Sequence, residues 1–236
     1  MKLNSIITTA ACLAAIALPA AAKNANDRLK ESNMVLNQLM RADDKGIPQD
    51  LLEKAHCAIL IPGAKKGGFF FGAEYGRGFV ICRNASHRGW GAPAAVRMEG
   101  GSIGPQIGVA ESDIFMLVMN DEGMRHLLDD KFTLGGSAGV AAGPVGRSST
   151  ARTDAKMTAG ILSWSRSRGA FAGLTLNGGT LRPDIDENEE LYGKRLTNRE
   201  IIQGGAVKAP ASAAGLISTL NRFSRFEEGE AARSKK

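Results

Sequence analysis

The sequence has little of what most enzymes and nucleic-acid-binding proteins display. Its three histidines, His56, His87 and His126, are scattered, and no two of them have the spacing of metal ligands. It contains no Gly-x-Ser-x-Gly elbow, no Walker-type lysine loop and no dinucleotide fingerprint. Aromatic residues make up only 6% of the chain and form no stripe with basic residues, which argues against a nucleic-acid partner. We therefore expect a protein that is not an enzyme and that uses no metal or cofactor.

Long hydrophobic runs are also missing, apart from the first residues. Lys2 precedes an apolar stretch over residues 6–18, and small residues follow it up to Ala22. This order is typical of a cleaved export signal, and the stretch is short for a membrane span of about 20 residues. The sequence predicts a signal peptide over residues 1–22, cleavage near Ala22, and a periplasmic or secreted protein.

The remaining chain is large enough for one substantial core. Removal of 22 residues from 236 leaves 214, which we interpret as one domain over residues 23–223 and a disordered polar tail over residues 224–236. The formal net charge of +6 falls to +5 when Lys2 is removed. This modest excess fits attraction to an anionic lipid surface, which is worth about 1 kcal/mol per basic residue close to it.

Cysteine is scarce, since only Cys57 and Cys82 follow the predicted signal. An even pair in an exported protein indicates a disulfide. The bridge would close a loop of about 25 residues and contribute about 3 kcal/mol in the loop-entropy treatment. The alternative is two buried thiols that act as small apolar residues.

Glycine, by contrast, is abundant. There are 29 glycines, and between Ala55 and Gly146 they separate short apolar runs rich in β-branched and aromatic residues. Such runs predict strands, and glycine supplies the backbone angles that bends between strands need. The runs are residues 57–62, 69–71, 78–82 and 114–118, with further strands predicted over 158–181. The predicted fold is α+β, with an antiparallel β barrel or sandwich core and helices packed at its N- and C-terminal ends.

The first predicted helix, residues 24–40, is amphipathic. Its apolar stripe consists of Leu29, Val35, Leu36, Leu39 and Met40, and Lys30, Met34 and Arg41 lie opposite. The stripe either packs on the β core or contributes to membrane contact. Shorter helices are predicted over residues 48–55, 121–128, 187–192 and 197–202, and a last one begins at Pro210.

Several segments of the glycine-rich region resemble the SYLF domain. They are residues 55–78 (AHCAILIPGAKKGGFFFGAEYGRG), 89–94 (GWGAPA), 101–108 (GSIGPQIG), 133–147 (TLGGSAGVAAGPVGR) and 163–173 (SWSRSRGAFAG). The resemblance covers roughly residues 27–193 in the family's order. It implies a lipid-binding module, because family members bind acidic phospholipids and eukaryotic members also bind actin filaments.

Basic residues are the remaining group of candidate site residues. Lys65 and Lys66 are predicted to lie in the turn between two strands, Arg147 ends a glycine-rich run, and Arg166 and Arg168 flank a later hairpin. Lys66, Arg147 and Arg168 stand where the family pattern also has a basic residue. We expect these residues to converge on one rim that contacts lipid phosphates, since arginine binds them in bidentate fashion and lysine as a point charge. Lys30 and Arg41 of the first helix would assist; the plain alternative is solvated surface charge.

The sequence thus predicts non-catalytic binding to anionic phospholipid membranes at the periplasmic face. Two other functions stay open. One is an envelope module that binds another protein, and the other is a carrier that holds a small apolar ligand inside the β structure. A hydrolase would need a nucleophile and a base within hydrogen-bond reach, which the sequence does not display.

Overall fold

The structure is a computed structural model of the chain. It describes residues 23–42, 46–68, 71–84, 89–103, 108–134, 139–144, 160–167, 170–173, 179–205 and 207–224. The predicted signal peptide, residues 225–236 of the predicted tail, Arg147 and Arg168 lie outside the described residues.

Within these ranges, nine strands form one curled sheet. They are Cys57–Gly68 (β1), Phe71–Cys82 (β2), Ala94–Ile103 (β3), Gly108–Val118 (β4), Phe132–Thr133 (β5), Val140–Ala142 (β6), Ile161–Ser167 (β7), Ala170–Gly173 (β8) and Thr180–Pro183 (β9). The strand order is β5-β9-β3-β2-β1-β4-β7-β6, and β8 pairs with β7. Neighbours are antiparallel except β6 and β7, so the predicted antiparallel sheet is mixed at one edge.

The described helices are Ala25–Arg41 (α1), Gln49–Lys54 (α2), Asp121–Leu127 (α3), Ile185–Tyr192 (α4), Asn198–Ile202 (α5) and Ala214–Phe223 (α6), the last preceded by a 3₁₀ turn over Ala211–Ala213. Asn24 caps α1 by accepting a hydrogen bond from the backbone N–H of Asp27 at 2.8 Å. Thr197 and Glu200 form a capping box at the start of α5. The α+β class with helices at both ends is confirmed.

Both faces of the sheet bury apolar side chains, because neighbouring residues of a strand point to opposite faces. Leu60, Phe79 and Phe115 belong to a core with the apolar sides of α1, α2 and α6. Ile59, Val80 and Met116 belong to a second core on the other face. We call these the helix face and the far face.

The apolar stripe of α1 packs on the helix face. Leu29, Val35, Leu36 and Leu39 are buried in that core, whereas Met34 is 57% exposed. In this structure the stripe therefore stabilises the fold and is not available to a membrane. Only the outward side of α1, with Lys30 and Arg41, faces solvent.

A buried ionic cluster ties α1 to α4 and the sheet. Glu187 of α4 contacts the Arg28 guanidinium, and its other oxygen lies 3.2 Å from Arg77 Nε of β2. Arg77 Nε also donates to Asp184 at 2.6 Å. Burial raises the pKa of Glu187 above its ordinary value, and the two guanidiniums act in the opposite direction. The cluster matters because an unpaired buried charge is strongly destabilising.

Cys57 and Cys82 lie directly opposite each other on β1 and β2 and are joined by a disulfide, with Cα atoms 3.9 Å apart. Both are buried in the far-face core. The bridge closes the hairpin at its open end, where β1 begins and β2 ends.

Candidate functional site

The predicted basic residues Lys65 and Lys66 lie on strand β1, at the centre of the sheet, and not in a turn. Lys65 pairs with Tyr75 of β2 and Glu111 of β4, and Lys66 pairs with Glu74 and Ala110. The expected turn at Lys65 and Lys66 is therefore wrong. Strand β1 continues through both lysines because it has a hydrogen-bonded neighbour on each side.

A bulge in β1 precedes the lysines. The register shifts between Ile61 and Ala64, and Gly63 has a positive φ of 59°. The backbone N–H of Gly63 donates to the Asp113 carboxylate at 2.9 Å. Glycine suits this position because it adopts a left-handed conformation without strain. After the bulge, Lys65 lies on the helix face and Lys66 on the far face.

Beyond the bulge, four strands continue to a common end. We call this end the distal sheet and define it as Lys65–Gly68, Phe71–Tyr75, Glu99–Ile103 and Gly108–Glu111. On its helix face, one row consists of Lys65, Tyr75, Glu99 and Glu111. The next row outward consists of Gly67, Ala73, Gly101 and Val109.

The helix face of the distal sheet exposes large apolar side chains. Val109 is 86% exposed and Tyr75 is 48% exposed. The small apolar side chain of Ala73, on β2, is exposed as well. An exposed apolar surface of this kind next to charged residues is typical of an interaction site.

The two lysines have acidic neighbours. Lys65 faces Glu111 across the β1–β4 pair, and Lys66 faces Glu74 across the β1–β2 pair. Burial raises the pKa of Glu74, and the positive charge of Lys66 opposes that rise. The described part of the distal sheet therefore carries charges of both signs.

Arg166 lies two strands away from Lys65, because β7 pairs with β4 and β4 pairs with β1, whereas Lys30 and Arg41 lie on α1. The Arg166 guanidinium is paired with Asp113, with Nε donating at 2.7 Å. Lys30 Nζ lies 3.1 Å from an oxygen of Asp27. Arg41 ends α1, about 16 Å along the helix axis from Lys30 at 1.5 Å per residue. Their roles in lipid binding stay predictions.

The strand directions bring two of the predicted basic segments to the same end of the sheet. Strands β1 and β7 are both antiparallel to β4, so they run in the same direction. The Ser167 hydroxyl at the end of β7 donates to the Glu111 carbonyl at 3.5 Å, and Arg168 is the next residue in the chain. Pro144, three residues before Arg147, accepts a hydrogen bond from Trp164 Nε1 at 2.9 Å. The placement of Arg147 and Arg168 stays a prediction.

Sequence reasoning missed the exposed apolar residues and a signal that could have found them. Residues 67–73 and 100–110 contain no charged residue, although charged residues make up 23% of the chain. Charged residues flank both stretches. Lys66 and Glu74 flank the first stretch, and Glu99 and Glu111 flank the second. These boundaries coincide with the distal sheet.

Other features of the described ranges do not suggest a different site. No described group of three or more His, Cys, Asp and Glu side chains is arranged to hold a metal ion. No helix that the structure describes combines the length and apolarity needed to cross a membrane. A groove of about 580 Å³ lies along Pro210, Ile217 and Arg222, on the outside of α6.

Comparison with known proteins identifies similar chains. A family model described as "Ysc84: Las17-binding protein actin regulator" matches residues 99–223. Protein YSC84 of Saccharomyces cerevisiae is 31% identical over 203 residues, which cover 83% of this chain and 42% of that protein. The human SH3 domain-containing YSC84-like protein 1 is 30% identical over 217 residues, which cover 92% of this chain and 62% of that protein. The chain thus spans about two fifths to three fifths of these relatives.

Proposed function

Because the chain belongs to the Ysc84 (SYLF) family, we propose that it is a non-catalytic binding module whose ligand is the surface of an acidic phospholipid membrane. After export, the protein would meet this membrane at its periplasmic face. The observation that supports the proposal most strongly is the distal sheet. Its helix face places Lys65 near exposed Tyr75 and Val109, and Lys66 follows on the far face of the same strand.

Several properties of this surface suit a bilayer. Lysine attracts acidic headgroups while its aliphatic stem covers apolar surface. Tyrosine has an apolar ring and a polar hydroxyl, and it is enriched where hydrocarbon meets water. The glutamates beside the lysines limit the electrostatic contribution, so apolar contact must supply a share of the affinity. Arg147 and Arg168 are proposed to add charge at the same end of the sheet.

The double variant Lys65→Gln/Lys66→Gln is expected to bind acidic vesicles about 30-fold more weakly than the unchanged protein. Each lysine near an acidic surface contributes about 1 kcal/mol, and about 2 kcal/mol corresponds to that factor. Flotation with phosphatidylcholine vesicles, with and without phosphatidylglycerol, measures the effect. The loss should be larger at low salt because exposed charges are screened at high salt.

The matched control is Lys194→Gln/Lys208→Gln, which removes the same charge from exposed lysines that follow α4 and α5. Helix α4 lies far from the distal sheet, at the start of β3. Its Asn188 accepts a hydrogen bond there from the Ala95 N–H at 2.7 Å. The control should retain binding. Equal recovery of the unchanged protein with neutral and acidic vesicles would contradict the electrostatic part of the proposal.

A second candidate function is binding to another protein. It is favoured by the names of relatives, such as LAS seventeen-binding protein 3 of Saccharomyces cerevisiae, which is 31% identical over 178 residues. For an exported chain the partner would be a protein of the cell envelope. Co-purification of one such protein, together with no flotation on any vesicle, would favour this function over lipid binding.

A further inference from the structure

The outer part of the distal sheet is free of charge over a continuous region of the fold. The uncharged stretches, residues 67–73 and 100–110, together contain 18 residues. Their described strand segments lie side by side, because Gly67 pairs with both Ala73 and Val109, and Ala73 pairs with Gly101. The described parts of two stretches far apart in sequence therefore form one uncharged end.

The register also gives the depth of this end relative to the charged residues. Val109 lies two residues beyond Glu111 on β4, and Ala73 lies two residues beyond Tyr75 on β2. At about 3.4 Å per residue, the Val109 row is roughly 7 Å beyond the row of Lys65, Tyr75 and Glu111. Elements that rest in a membrane interface bury their apolar side about 5–10 Å into the boundary between headgroups and acyl chains.

We infer that the uncharged end of the distal sheet inserts into the bilayer, with Val109 at the headgroup–acyl boundary and Tyr75 and Lys65 at the level of the phosphates. This inference rests on the proposed function and adds an apolar insertion step to it. The charged boundary residues, Lys66, Glu74, Glu99 and Glu111, limit the depth because charges are costly to place in hydrocarbon.

A bilayer fits this surface better than a protein partner does. The outer rows offer glycines, Ala73 and Val109, with no charged side chain to fix the orientation of a docked protein. Removal of this exposed apolar area from water is favourable by itself, and a deformable lipid interface provides that removal. Lys65, which is exposed in the adjacent row, adds a preference for acidic headgroups.

The substitution Val109→Trp tests the insertion in the full chain. The native Trp90 and Trp164 are 6% and 1% exposed, so they give a steady background. With acidic vesicles whose acyl chains are brominated near the headgroups, Val109→Trp should show a blue shift and strong quenching. The matched control is Glu122→Trp on α3, an exposed position that follows the opposite end of β4. It should show neither change.

Flotation of the same samples separates this inference from the proposed function. If the Val109→Trp variant floats while its introduced indole stays unquenched, insertion is overturned and lipid binding is left intact. A protein that does not float would overturn the proposed function and the inference with it. Equal quenching in the Val109→Trp and Glu122→Trp variants would overturn the assignment of the inserted end.

Val109→Asp provides a second readout. Because Val109 is 86% exposed, this change should leave the thermal unfolding midpoint nearly unchanged. Vesicle binding should weaken at least tenfold, because the variant no longer buries a valine side chain in the membrane and places a negative charge at the acidic interface. Retained vesicle binding with loss of a co-purified protein would overturn insertion in favour of protein docking.

Discussion

Glu187→Ala is expected to lower the free energy of unfolding by about 3–5 kcal/mol, the range for removing one partner of a buried ion pair. Glu187 is buried, with 1% of its surface exposed, and it contacts Arg28, whose exposure is 8%. Arg77 keeps Asp184 as a partner in the variant, but the one partner that Arg28 keeps among the described residues is the Lys23 carbonyl, at 3.0 Å from Nη2. A nearly unpaired guanidinium is then left in a poorly hydrated site between α1 and α4.

Urea unfolding of Glu187→Ala and Glu189→Ala measures this effect with a matched control. Glu189 lies on the same helix, but it is exposed and pairs with exposed Arg195 at 2.7 Å. Exposed pairs of this kind contribute about 0–1 kcal/mol, so Glu189→Ala should change stability little. Similar losses in the two variants would contradict the role assigned to the buried ionic cluster.

Reduction of the Cys57–Cys82 disulfide is expected to lower the free energy of unfolding by about 3 kcal/mol. The bond closes a loop with a sequence separation of 25 and lies in the far-face core, so its loss frees the unfolded chain without changing the distal sheet. Thermal unfolding with and without dithiothreitol measures the difference. Vesicle binding well below the unfolding midpoint should stay the same.

The double variant Cys57→Ala/Cys82→Ala is the control for the reductant. Its unfolding midpoint should lie below that of the oxidised protein and should not respond to dithiothreitol. If mass spectrometry shows both thiols reduced in the unchanged protein and its midpoint does not move, the disulfide has no stabilising role.

Much of the fold follows from local sequence signals. Asn24, Asn120 and Thr197 cap α1, α3 and α5, and the apolar stripe of α1 packs on the sheet. These features depend on residues close together in sequence, which is why patterns can predict them. The parallel pairing of β6 with β7 is different, because Val140 meets Ile161 through a contact that no local pattern encodes.

The candidate site was harder to predict for the same reason. Lys65 and Lys66, followed by Gly67 and Gly68, have the composition of a turn, yet pairing with β2 and β4 keeps them in an extended strand. The exposure of Val109 depends on where four neighbouring strands, β3, β2, β1 and β4, end. The sequence does contain the uncharged stretches, but only the register shows that their described segments lie side by side.

Amide hydrogen exchange with and without acidic vesicles tests the central claim most directly, namely that the distal sheet is the surface that meets the membrane. Vesicles should slow exchange in peptides that contain Lys65–Tyr75 and Glu99–Glu111, and should leave α3 and α5 unchanged. Protection confined to α1 or α6, or equal exchange throughout the distal sheet in vesicle-bound protein, would contradict the account.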